Sequence, residues 1–250
     1  MSALVRFFLL AFVITWTFWA PKWLPFFGIQ VGSDHFILDC LAGMGPSLAA
    51  IIVTLQEGRM KGALAFAGRV LQPRSLTHVS LSIAFPAGCL ALALMAAPGS
   101  NRIASGEVSW PKLLQLGVCY GFGEEFGWRG FALPRLQRRH YALSSSLILF
   151  PIWVLWHWPV LVDANANSGV ISHLAGFSTF LVGSIFLTWL FNSSRGSVVA
   201  AACFHGVYDV ASSTSKLAQI FIVLIMFAWV VAVIIIYKPE HLSRRARTIA

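Results

Sequence analysis

Eight apolar stretches take up most of this chain, at about residues 3–20, 36–56, 76–97, 112–133, 143–162, 173–192, 197–213 and 217–237. Crossing the ~30 Å hydrocarbon core of a bilayer takes roughly 20 apolar residues. Backbone in lipid must also satisfy its own hydrogen bonds, so such stretches fold as helices. The expected fold is all-α, a polytopic membrane bundle of about eight transmembrane helices forming a single domain over residues 1–250. Only 11% of the residues are charged, about half the share in a soluble domain, and nothing is left over to build a water-soluble domain. Residues 4–20 carry Arg6 near their start, but no small-residue cleavage site stands out before Pro21, so the stretch reads as the first helix instead of a signal peptide.

The formal net charge of +9 needs a location before it means anything. Arg59, Lys61, Arg69 and Arg74 fall between the second and third stretches, and Arg135, Arg138 and Arg139 between the fourth and fifth. Arg195 follows the sixth, and Lys238, Arg244, Arg245 and Arg247 follow the last. With about eight crossings these segments share one side, which the positive-inside rule makes cytoplasmic. The other side carries only Lys22, Arg102, Lys112 and Lys216. Both termini are therefore expected in the cytoplasm, and the expected setting is the inner membrane of a bacterium. A nucleic-acid partner is excluded, because no folded soluble surface collects these charges. Cys40, Cys89, Cys119 and Cys203 lie inside apolar stretches without CxxC spacing and read as small core residues.

Few ionisable residues remain at membrane depth: Glu124, Glu125, Arg129, His157, His205 and Asp209. A charge at the bilayer centre costs roughly 2.5–3.5 kcal/mol on insertion scales, so these residues call for a polar, protein-lined cavity. At ~1.5 Å per residue from the cytoplasmic helix ends, Glu124 lies ~15 Å deep, His157 ~21 Å and His205 ~15 Å. Three helices thus offer polar groups near the midplane. Glu125 and Arg129 form an (i, i+4) pair on one face, while Glu124 points about 100° away and is free for other work. His157 sits among aromatics between Pro151 and Pro159, whose freed carbonyls need partners. His205 and Asp209 stand one turn apart, so the imidazole has a carboxylate to orient it. His35, His78, His140, His173 and His241, and Asp34, Asp39, Glu57, Glu107 and Asp163, fall near segment ends or in loops and imply no site. Gly117, Gly121, Gly123, Gly127 and Gly130 suit close helix approach.

The segment Gly123-Glu-Glu-Phe-Gly-Trp-Arg129 resembles the EExxxR motif of the CAAX protease and bacteriocin-processing family of intramembrane glutamic endopeptidases. Trp153-Val-Leu-Trp-His157 resembles the family's second motif, an aromatic followed by His, with Trp where Phe is commoner. His205-Gly-Val-Tyr-Asp209 resembles its third, HxxxN or HxxxD, with Asp where the prenyl-protein proteases have Asn. The likeness covers about residues 112–213, the expected protease core. It implies that Glu124 is the general base, working with His157 to activate water. It further implies that His205 and Asp209 steady the oxyanion and that Glu125 and Arg129 support the site. Asp209, if charged, orients His205 and does not itself donate. The implied substrate is a membrane-associated protein or peptide, and the compact chain looks closer to the bacterial branch, where a prenyl group is not expected.

No cofactor is expected on this reading. Two others stand beside it. One is a zinc protease with Glu124, His157 and His205 as ligands and Asp209 as a further oxygen donor, although the sequence lacks HExxH. The other is a non-enzymatic membrane immunity or transport protein, since carboxylate and histidine chains also relay protons. Against a transporter, no inverted repeat is evident.

Overall fold

Each of the eight apolar stretches is helical, as lipid demands of backbone with no water to bond, yet they are far from eight equal rods. In this computed structural model the described residues are 1–29, 31, 35–165 and 170–249, with the side chains of 162–165 and 170–175 set aside, and no strand occurs among them. Asp34 lies outside the described residues, as do the side chains of Asp163 and His173.

Helix α1 (Ala3–Phe18) starts at Ser2, whose side chain accepts from the Val5 N–H. The chain then bends by 70° at Trp19 into α2 (Ala20–Trp23) and a 3-10 turn, Leu24–Phe27. Pro21 and Pro25, each at the start of its element, fix that turn. Helices α3 (Phe36–Gly43) and α4 (Gly45–Val70) meet at a 49° bend just before Pro46. Helix α5 spans Leu76–Ala96. A helical rod then runs from Trp110 to Gln137. It comprises α6 (Trp110–Leu114), a π segment Gln115–Tyr120, α7 (Gly121–Gly127), a second π segment Trp128–Ala132, and α8 (Leu133–Gln137). The last five are α9 (Ala142–Trp156), α10 (Trp158–Asn165), α11 (Val170–Ser193), α12 (Val198–Thr214) and α13 (Lys216–His241).

Among the described residues, three helices are long and apolar enough to cross a membrane, in α5, α11 and α13, or up to five if the bent pairs α1–α2 and α3–α4 each count as one span. The rod, α9–α10 and α12 are broken or shorter and hold the charged residues. They sit inside, where polar side chains find partners other than lipid. Large apolar side chains such as Leu81, Leu92, Leu224, Phe227 and Ile235 cover the outside.

Residues 57–75 read as a basic connection, but the structure carries α4 through 57–70 past a left-handed break at Arg59 (φ 50°). Tertiary contact decides this. Phe66 and Val70 bury against the rod, with the Phe66 and Phe131 rings 6.3 Å apart, while Arg59 and Lys61 stay exposed.

The rod is the structural centre. On one side α12 crosses it at Gly121 and Gly206, where a Cβ on Gly121 would come within 2.7 Å of the Gly206 Cα. On the other side α4 approaches so closely that a Cβ on Gly127 would collide with Pro46. Small residues are what permit such crossings in a membrane, and these two set the rotation of α12 and α4 about the glutamates.

Candidate active site

Glu124 and Glu125 lie in α7, between the two π segments. Such widened turns recur where a helix is interrupted for function. Both carboxylates are buried, Glu124 at 2% exposure and Glu125 at 0%. They face different partners, as their 100° offset requires.

Glu124 meets α9. Its Oε2 accepts from the Trp153 indole N–H at 2.8 Å, and its Oε1 lies 3.5 Å from His157 Nε2. His157 closes α9 where Pro159, opening α10, interrupts the backbone ladder. Its Nδ1 lies 2.9 Å from the Trp153 carbonyl. A carbonyl only accepts, so Nδ1 carries the proton and Nε2 is the nitrogen presented to Glu124. At 3.5 Å the pair is longer than a good direct hydrogen bond. Both atoms can instead take the protons of one water placed beside them.

Glu125 meets Arg129 and α12. A single oxygen, Oε1, accepts from Arg129 Nη1 and from His205 Nδ1, each at 2.9 Å. The other His205 nitrogen, Nε2, lies 3.6 Å from Asp209 Oδ2. Each imidazole nitrogen therefore faces a carboxylate oxygen. Arg129 is fully buried, with its guanidinium carbon 5.0 Å from the centre of the Trp153 ring. The expected Glu125–Arg129 and His205–Asp209 pairs are both present, and the three histidine- and glutamate-bearing helices do meet. His205, however, bonds Glu125 rather than Glu124. Among the described residues, no group of three or more His, Cys, Asp or Glu side chains is arranged to hold a metal ion.

A family model described as Type II CAAX prenyl endopeptidase Rce1-like matches residues 106–211, which contain all six polar residues. Across the wider chain, the CAAX prenyl protease 2 of Methanococcus maripaludis is 26% identical over 233 residues, covering 85% of each protein. Both likenesses are to CAAX proteases, in line with the resemblance carried by the three motifs. Both matches are to peptidases, which favours the endopeptidase reading over the non-enzymatic ones.

Exposure grades across the site. Glu125 and Arg129 are sealed, while the side chains of His157 and Asp209 are 16% and 21% exposed. The site is therefore most open on the His157–Asp209 side.

Trp153 is the residue that sequence reasoning undervalued. It stood as the aromatic of the second motif with no task. In the structure it donates to Glu124, and its ring stands edge-on to His157 and His205 at 5.5 and 5.8 Å. The available signal was its (i, i+4) spacing to His157 together with an indole N–H that must find an acceptor when buried. Trp153→Phe keeps an aromatic ring and removes that donor. A hydrogen bond to a charged group is worth about 1.5–3 kcal/mol, so turnover of a cleavable peptide is expected to fall about tenfold or more while the protein stays folded. An unchanged turnover rate would refute this role.

Proposed function

We propose that the protein is an intramembrane endopeptidase that cleaves a membrane-associated protein or peptide with water activated by Glu124 and His157. The observation that carries this is the buried Glu124 carboxylate, one oxygen held by Trp153 and the other turned to His157 Nε2. Peptide hydrolysis needs a proton acceptor for water, a donor for the oxyanion and a proton for the leaving amine. Glu124 takes the proton as water attacks the carbonyl carbon, and returns it to the amine nitrogen as the C–N bond breaks. His157 Nε2 holds the same water. His205 Nε2–H is the donor for the oxyanion on the exposed side, with Asp209 orienting the ring instead of donating. Glu125 and Arg129 fix His205 from behind. The test is a proteomic comparison of membranes containing wild-type protein or Glu124→Gln. Uncleaved precursors should accumulate with the variant, and identical membrane proteomes would count against the proposal.

The reaction as proposed uses no resident metal. Treatment with o-phenanthroline is expected to leave cleavage within about twofold of the untreated rate, a change too small to be the loss of a catalytic group. Elemental analysis should show substoichiometric zinc. One zinc per chain whose removal abolishes cleavage and whose return restores it would replace this reading with the zinc one, Glu124, His157 and His205 being the ligands.

The proposed setting is the inner membrane of a bacterium with both termini in the cytoplasm, supported by the basic segments on one side. Val70 being buried, cysteines introduced at the exposed positions 72, 138 and 245 should react with a membrane-impermeant reagent only after permeabilisation. Labelling of any of them in intact cells reverses the orientation.

A further inference from the structure

At the basic end of the bundle, away from the glutamates, a cavity of about 150 Å³ is lined by Arg69, Arg74, Gly130, Gly196, Val198 and Thr248, among others. Its walls are built. The buried amides of Gln137 and Asn192 bond each other at 2.8 and 3.1 Å, and together they clamp the backbone of Thr248 through its carbonyl and its N–H.

Among the described residues the charge in it has no acidic partner. Arg69 Nη2 donates to the Gly130 carbonyl at 3.0 Å and Arg74 Nη1 to the Arg195 carbonyl at 3.2 Å. Arg74 Nε is buried without a partner. Among the described residues neither guanidinium has a carboxylate within 4.0 Å. Glu57, the one acidic residue of α4, pairs instead with Arg6 and Arg135. Two guanidiniums drawn partly out of water, with only neutral acceptors among the described residues, favour an anion beside them, and their planar donor forks match phosphate oxygens. Basic pockets between membrane helices on the cytoplasmic side are suited to anionic headgroups.

We propose that this cavity is a binding site for a phosphate group, as carried by an anionic phospholipid headgroup or by free phosphate. The proposal is independent of the catalytic assignment, because among the described residues its arginines bond the carbonyls of Gly130 and Arg195 and not Glu124, His157 or His205.

The test uses the purified full-length protein in detergent. Native mass spectrometry and thermal midpoints are read with phosphatidylglycerol, with inorganic phosphate and with uncharged diacylglycerol. Phosphatidylglycerol should be retained and should raise the midpoint, and diacylglycerol should do neither. In R69Q/R74Q the apparent affinity should fall by about tenfold or more, the loss expected when charge-assisted hydrogen bonds go. The exposed R138Q should respond as wild type does. If R69Q/R74Q does not fold, R74Q alone is read against the charge-keeping R69K/R74K. A response to phosphatidylglycerol without one to phosphate assigns the site to lipid, and the reverse assigns it to the free ion. The proposal is overturned if no phosphate compound binds, if diacylglycerol matches phosphatidylglycerol, or if the wild type and the arginine-to-glutamine variants respond alike.

Discussion

Glu124→Gln should fold as wild type does and cleave at least ~10²-fold more slowly, the usual scale for loss of a general base. The amide has the shape of the carboxylate, and its oxygen can still accept from the Trp153 indole, which lies 2.8 Å from Glu124 Oε2. What it cannot do is take a proton from water. No cation depends on Glu124 for its charge balance in the way Arg129 depends on Glu125, so removing the charge leaves nothing orphaned. The measurements are the thermal midpoint in detergent and cleavage of a substrate found in the proteomic comparison. Full cleavage by Glu124→Gln would sink the assignment of the base.

Glu125→Gln should behave in the opposite way, as a folding defect first. Its Oε1 holds both Arg129 and His205, and Arg129 is fully buried with Nε and Nη2 lacking any other hydrogen-bond partner. Breaking a buried pair by removing one partner typically costs 3–5 kcal/mol. For a chain of this length that lowers the thermal midpoint by on the order of 10 °C. Arg129→Gln should do likewise, and combining Glu125→Gln with Arg129→Gln should recover part of the loss, since neither charge is then left alone. Cleavage should stay low in the double variant, because His205 has still lost its carboxylate. A stable, inactive Glu125→Gln beside a fully active Glu124→Gln would reverse the roles of the two carboxylates.

The sequence by itself was enough for the all-α membrane fold, because apolar stretches of bilayer length have one solution in lipid. It was also enough for two pairs separated by one helical turn. Glu125–Arg129 and His205–Asp209 follow from the 3.6-residue period alone, and both are found at the spacing that period dictates. The ordered motifs carried the resemblance to CAAX proteases. Rotation of one helix against another was not legible, for want of any local signal. That His205 meets Glu125, eighty residues away, depends on how α12 crosses the rod at Gly121 and Gly206, which is a packing outcome. The indole of Trp153 reaches Glu124 for the same reason. The bends at Trp19 and Met44, the π segments beside the glutamates and the helical run past Arg59 likewise answer to neighbours, since burial of Phe66 and Val70 outweighs the polar look of 57–70. Periodicity fixes what shares a face of one helix. Which face meets which is decided only when small residues let the helices close on one another.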